Sequence, residues 1–305
     1  MNPPRVSIIL PVFNRAATIR RCVDSVRSQT LPDWELVAVD DASSDGSAAI
    51  IAAYGDARIR ILRHERNRGA AAARNTAMRD ARGEYLAWID SDDEWLPDKL
   101  AQQLALLAAT GAEACACDYF MSTAGHEHPV RIPTSDDWRR TLHTECRLAA
   151  GSTLLVRRAC LEKIGLLDEA LRSHEDWDWC LRLTQHFRLV VVPELLARIH
   201  YGGPRDPRVA AECDRAFFEK NVAEFAHYGP AHLRQVRGLH HARNVVAAFS
   251  VGEFRLGARA LGRALAAKPL LPPARYLAFV LSFLDGLCGT RLIAAAERLR
   301  SRWQR

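Results

Sequence analysis

The chain has 305 residues, 49% of them hydrophobic and 26% charged. That length suits one large α/β domain plus an appendage, and the apolar content excludes a disordered chain. The net charge of +6 hides an imbalance: residues 198–305 hold 18 Lys and Arg against 8 Asp and Glu, whereas residues 1–197 hold 24 against 28.

The first residues, MNPPRVSIILPVFNR, do not read as a secretory signal, because the apolar run is short and Pro11 breaks it. No apolar stretch reaches the roughly 18 residues of a spanning helix. The nearest, 276–289, is short and carries Asp285. Eight cysteines are scattered through apolar segments, which fits reduced core thiols in a cytosolic protein.

RVSIILPVF (5–13) reads as a buried parallel strand, and 16–29 follows with helical spacing of Ile19, Cys22, Val23 and Val26. WELVAVDD (34–41) is a second strand, ending in two aspartates. SSDGSAAIIAAYG gives a turn, a helix start and a glycine stop. IRILRHE (59–65) is a third strand, 69–82 a helix closed by Gly83, and EYLAWID (84–90) a fourth strand. Pro97 and Asp98 open a helix running to about 109. The alternation predicts a mostly parallel sheet with helices on both faces, and ligands bind outside the carboxyl ends of such strands. Asp40 and Asp41 at one strand end, and Asp90 and Asp92 at another, therefore share one rim.

Beyond 111 the pattern loosens. AEACACDYF and GSTLLVRR read as strands around a polar loop (122–147). RACLEKIG is a short helix, 175–186 an amphipathic helix, and 188–200 extended chain. Past 208 the sequence is helical. Residues 240–267 read as helix–turn–helix with Gly252 at the turn, and Pro269, Pro272 and Pro273 precede a last amphipathic stretch, 275–304.

WIDSDDEW (88–95) crowds four carboxylates together. Hard oxygen ligands of this kind suit Mg²⁺ or Mn²⁺ with substrate phosphates; a solvated helix start explains them equally well in isolation. VDDASSDGS begins like an EF-hand loop, but Ala52 stands where a bidentate glutamate is needed, leaving a turn and helix cap. NRGAAAARN (67–75) places small residues at a helix start, where Arg68 and Arg74 could pair with a diphosphate. In HEDWDW (174–179), Asp176 lies beside aromatic bulk, which raises a carboxylate's pKa toward that of a general base. A helix cap is the plainer reading of a lone ED pair.

Taken together, VSIILPVFNRAATIRRCVDSVRSQTLPDWELVAVDDASSDGS, NRGAAAARN, GEYLAWIDSDDEWLPDKL, GSTLLVRRACLEKIGLLDEALRSHEDWDWCLRL and RIH resemble the inverting family 2 glycosyltransferases with a GT-A fold. The likeness covers residues 5 to about 200. It implies a GT-A catalytic domain over 1–205, Rossmann-like with a mostly parallel sheet; the helical pattern that follows makes 206–305 a helical C-terminal region. The likeness also implies roles. Pro11, Phe13 and Asp41 would line the uracil pocket, with Arg74 near the nucleotide. Asp90, Ser91 and Asp92 form the DxD-type motif for ribose and a divalent metal, Mn²⁺ or Mg²⁺. Asp92, Asp93 and His200 are the metal-ligand candidates, with Asp92 against Asp93 left open, and Glu94 stands outside the chemistry. Asp176 would be the catalytic base.

The implied reaction moves one sugar from a nucleotide-diphospho-sugar, with UDP favoured, to a saccharide or lipid-linked saccharide hydroxyl. The Gln-x-x-Arg-Trp motif of processive relatives is absent from the sequence. The basic C-terminal third suits peripheral contact with anionic lipid on the inner face of the cytoplasmic membrane, or equally a packing or homodimer face; nucleic acid is not expected. A nucleotidyltransferase on a related fold is disfavoured, because PVFNRAATI replaces the Gly-rich basic loop such enzymes carry after the first strand. A non-catalytic nucleotide-sugar-binding module would be expected to have lost the base or the metal motif, and both are present.

Overall fold

The computed structural model describes residues 3–123, 126–200, 202, 206–249 and 251–267. The chain divides into two compact units, Met1–Gly202 and Gly203–Arg305. The expected amphipathic stretch 275–304 and its preceding prolines lie outside the described residues.

The first unit begins with the alternation β1 (Val6–Val12), α1 (Ile19–Arg27), β2 (Trp34–Asp40), α2 (Ser47–Ala52), β3 (Ile59–Arg63), α3 (Ala70–Asp80) and β4 (Tyr85–Trp88). Every residue of β1, β2 and β4 is buried, as continuous apolar runs require when helices cover both faces. α1 buries Ile19, Cys22, Val23 and Val26 completely. Each such side chain contributes about 1.5–3 kcal/mol by leaving water. α3 buries alanines 71, 72, 73 and 77, and their small size lets the helix lie close on β1 and β2.

Then come β5 (Glu94–Trp95), α4 (Lys99–Thr110), β6 (Ala114–Thr123), β7 (His126–Val130), α5 (Trp138–Thr144), α6 (Ala150–Thr153), β8 (Leu155–Arg157), α7 (Cys160–Ile164), α8 (Glu175–Thr184) and β9 (Leu189–His200). The strands form one nine-stranded sheet in the order β3-β2-β1-β4-β8-β6-β9-β5, with β7 paired to β6. Pairing is parallel among β3, β2, β1 and β4 and between β6 and β9. It is antiparallel at β4–β8, β6–β8, β5–β9 and β6–β7.

Three expectations change here. The parallel reading describes the first half of the sheet, and the second half is mixed. The polar stretch 122–147 is not one loop: His126–Val130 folds back on β6 and Trp138–Thr144 is a helix capped by Asp137. Within GSTLLVRR only Leu155–Arg157 is strand, because Ala150–Thr153 forms a helical turn. β9 runs through Pro193 because a register shift at Cys117–Asp118 of β6 interrupts the ladder there. The seven described cysteines are free thiols, and all but Cys146 are buried.

The second unit contains α9 (Pro207–Ala226), α10 (Pro230–Phe249) and α11 (Phe254–Ala267). Asp206 caps α9 by accepting from Arg208 N at 2.7 Å. Leu239, Ala242, Val245 and Phe249 of α10 pack with Ala260 and Ala264 of α11. Gly252 turns the chain between them at φ 79°. Among the described residues no helix is long and apolar enough to cross a membrane.

Candidate active site

The strand order β3-β2-β1-β4 reverses the direction of chain progress between β1 and β4, which opens a crevice at their carboxyl ends. The β1–β4 ladder ends where Ile89 N donates to Ile9 O at 3.2 Å. Pro11 lies two residues further along, past that pairing, so its missing N–H leaves no bond unmade. Phe13 follows and is 43% exposed, a large apolar face on the rim. Asn14 N donates to Ser43 Oγ at 3.0 Å, Arg15 N to Ser47 Oγ at 2.8 Å, and Ala16 N to Asp45 Oδ2 at 2.8 Å. The SSDGS stretch is thus a staple between the two rim loops.

Asp41 ends up on this rim but is only 2% exposed. Its carboxylate accepts from Arg68 N at 2.9 Å and Gly69 N at 2.7 Å, and its Oδ1 lies 2.6 Å from His64 Nδ1. It anchors the loop that opens α3. Arg68 turns outward to Glu169 at 3.2 Å.

The acidic stretch between β4 and β5 resolves into distinct roles. Asp93 is 3% exposed, and both its oxygens are engaged: Oδ2 accepts from Ser152 Oγ at 2.5 Å, and Oδ1 from His200 N at 2.8 Å. Ser152 Oγ also accepts from Asp90 N at 2.9 Å, so one hydroxyl ties both aspartates. Burial and the negative charge of Asp90 raise the pKa of Asp93 well above the carboxylate range. Asp90 keeps 38% of its side-chain surface open. Crowding by protein nevertheless raises its pKa, against the lowering pull of Arg74. Asp92 is 31% exposed and its Oδ2 lies 3.4 Å from Arg15 Nη2. Ser91 is buried, and its carbonyl accepts from Thr18 Oγ1 at 3.0 Å.

His200, at the end of β9, points its Nε2 to within 2.8 Å of Glu94 Oε1. Arg21 Nε is 3.0 Å from the same oxygen. Among the described residues, no three His, Cys, Asp or Glu side chains converge to hold a metal ion. Asp92, Asp93 and His200 are therefore neighbours in the fold without being an assembled ligand set. The accumulated negative charge still fits a divalent cation; Asp90 and Asp92 both keep open surface, and Asp90 is already paired with buried Arg74. Mg²⁺ and Mn²⁺ commonly take one or two protein carboxylates and complete their shells with phosphate and water.

Across the crevice, His174 takes a left-handed conformation (φ 65°) and turns the chain into α8, whose first residues are Glu175 and Asp176. Asp176 Oδ1 accepts from Trp177 N at 2.8 Å. Burial, with help from Glu175, pushes its pKa up to about 6, while Arg74 opposes the rise. Arg74 itself is 4% exposed. Its Nη1 donates to Glu175 at 2.8 Å, and its Nη2 pairs with Asp90 Oδ1. Its buried Nε–H has no protein acceptor among the described residues. A Cβ on Gly151 would stand 2.5 Å from Asp90 Oδ2 and 3.2 Å from Arg74 Nη2.

Thus Asp90, Arg74 and Asp176 come together from three separate motifs, with Asp92, Asp93 and His200 around the same acidic turn. Gly151, Ser152 and Glu175 were missed as site residues. The Gly-Ser pair lies in a stretch whose pattern reads as strand, and Glu175 reads as half of a helix-capping ED pair. Glu94, set aside from the chemistry, holds the His200 ring.

The fold aligns with S. aureus TarS 1–349, solved in complex with UDP, at a TM-score of 0.64 and 21% identity, covering 94% of this chain and 92% of that one. It also aligns with the mannosyltransferase PcManGT from Pyrobaculum calidifontis, solved with GDP-Man and Mn²⁺, at 0.59 and 22% identity, covering 95% and 88%. These similarities establish the GT-A fold. In sequence, the chain is 43% identical over 102 residues to the Escherichia coli UDP-Glc:alpha-D-GlcNAc-diphosphoundecaprenol beta-1,3-glucosyltransferase WfgD. That match spans 33% of this chain and 40% of the relative. Residues 7–165 match the family model for glycosyl transferase family 2. That segment is more than half of the chain, and the chain belongs to this family.

Proposed function

We propose that this protein is an inverting glycosyltransferase. It moves a single sugar from a nucleotide-diphospho-sugar, with UDP as the favoured nucleotide, to a hydroxyl of a saccharide or lipid-diphosphate-linked saccharide. The observation that carries this reading is the convergence of Asp90, Arg74 and Asp176, with Phe13 exposed just past the carboxyl end of β1. Phe13 and the wall anchored by Asp41 receive the nucleoside. The buried Nε–H of Arg74 supplies a donor toward the anionic end of the ligand. Asp176, with a pKa near 6, is ionised at neutral pH and basic enough to take a proton from the acceptor hydroxyl. The hydroxyl oxygen then attacks the anomeric carbon from the face opposite the nucleotide, and one displacement inverts the configuration.

Asp92 would hold the divalent metal, with Asp93 supporting the turn from beneath. The cation, when bound, neutralises charge on the leaving diphosphate. The UDP complex of TarS and the Mn²⁺ complex of PcManGT support a nucleotide-sugar donor and a metal. The name of WfgD supports a lipid-diphosphate acceptor. The basic C-terminal third brings the enzyme to anionic lipid, where such an acceptor resides.

A screen of UDP-, GDP- and dTDP-sugars with Mn²⁺ or Mg²⁺ tests the donor reading, because a ligand that binds the folded state raises the melting temperature. A rise with UDP and Mn²⁺ together, above either alone, is expected. No shift with any nucleotide refutes the proposal.

A further inference from the structure

We propose that the Arg74–Glu175 pair is a positioning device that joins the two halves of the reaction centre. One buried guanidinium fixes the first turn of α8, and hence Asp176, against the donor-side carboxylate Asp90. This inference rests on the glycosyltransferase reading above and assigns Glu175 a role within it.

The geometry is specific. Arg74 sits on α3, Asp90 after β4 and Glu175 at the start of α8. Its two terminal nitrogens diverge, one to Asp90 and one to Glu175, each a charge-assisted bond. A lysine presents one point charge and cannot span both. Glu175 is the residue before Asp176, so seating Glu175 sets the peptide that carries the base. The entry into α8 is otherwise strained, because His174 holds a positive φ without being glycine. Gly151 leaves the space that brings Asp90 and Arg74 together. Glu175, Arg74 and Asp90 are the charged groups that act on Asp176. Glu175 and Asp90 disfavour its ionised form and Arg74 favours it, so the clamp also tunes the base.

The test compares wild type, Glu175→Gln and Arg74→Gln. UDP affinity is measured by calorimetry with Mn²⁺, and the hydrolysis of UDP-glucose and UDP-GlcNAc is followed as a function of pH. Removing the negative charge of Glu175 is expected to move the rising, base-dependent limb of the rate profile down by about one pH unit. The same change lowers kcat about tenfold or more, with UDP affinity within twofold of wild type. Removing the positive charge of Arg74 is expected to move the limb up. Opposite shifts from the two ends of one ion pair are not produced by loosened packing. Unmoved limbs, shifts in the same direction, or an E175Q variant that loses UDP affinity in proportion to kcat overturn the proposal. If R74Q does not fold, the E175Q profile decides alone. A wild-type protein that neither binds UDP nor turns over these donors fails the underlying functional reading instead, and the inference falls with it. A wild type that does both, beside an unchanged E175Q, refutes the clamp only.

Discussion

Asp176→Asn tests the assignment of the base and its energetic cost together. The folded protein holds this carboxyl near pKa 6, against an ordinary value of 3.8. A shift of about two units corresponds to about 3 kcal/mol of stability lost once the group is ionised in the folded state. Asp176 is only partly buried, so solvent screening brings the expected figure to about 1–2 kcal/mol. The sign follows from the raised pKa. Below about pH 4 both folded and unfolded chains carry the proton and no cost exists. Between about pH 4 and 6 the unfolded chain ionises first and the cost grows, and above pH 6 it is complete. Asparagine cannot ionise and keeps an oxygen for Trp177 N. The variant should therefore melt about 2–6 °C higher than wild type at pH 8, and at nearly the same temperature at pH 4. Transfer should fall about 10²–10⁴-fold while UDP affinity changes little. Scanning fluorimetry at the two pH values, calorimetry with UDP and single-turnover transfer measure the three quantities. Wild-type turnover, or a variant less stable than wild type at pH 8, would refute the reasoning.

Four further outcomes are expected. Gly151→Ala places a methyl group against Asp90 and Arg74 and should cost about 1–3 kcal/mol of stability, with donor turnover down at least tenfold; melting curves and steady-state rates report both. Asp92→Asn should abolish the extra thermal shift that Mn²⁺ gives with UDP while leaving the metal-free melting temperature within about 2 °C. Asp93→Ala should instead lower stability by about 1–3 kcal/mol, because Ser152 Oγ and His200 N lose their buried acceptors. Reversal of that pattern would make Asp93 the principal ligand. Flotation with anionic liposomes should succeed at low salt and fail at high salt, and no flotation at low salt removes the membrane reading.

Much of the first unit was legible because its strands are buried on both faces. β1, β2 and β4 appear as apolar runs, β2 ending in Asp40 and β4 followed closely by Asp90, and α1 keeps its 3.6-residue spacing. The shared rim of Asp41 and Asp90 followed from that alternation. The second half of the sheet was harder to read. β7 alternates polar residues on an exposed hairpin, and the turn around Gly151 and Ser152 is four residues long, too short for periodicity to register. The partners of the acidic run were also invisible in one dimension. Nothing in DSDDE distinguishes Asp93, locked beneath the turn, from Asp92, open to solvent. That difference is made by Ser152 and His200, which arrive from the distant α6 turn and the end of β9.

The pairing of β5 with β9 has a consequence for the length of the acidic stretch. In a flat sheet, four strand spacings separate β4 from β5, roughly 19 Å. Only five residues, 89–93, join them, with a fully extended reach of about 20 Å. They are not extended, since Asp93 N bonds back to Asp90 O at 3.0 Å. The sheet must therefore bend its far edge round toward β4, and WIDSDDEW is the short chord that subtends the arc. Adding a residue to this chord would slacken the curvature, and removing one would tear β5 from β9. Its length is a constraint on the shape of the whole sheet, independent of the charges it carries.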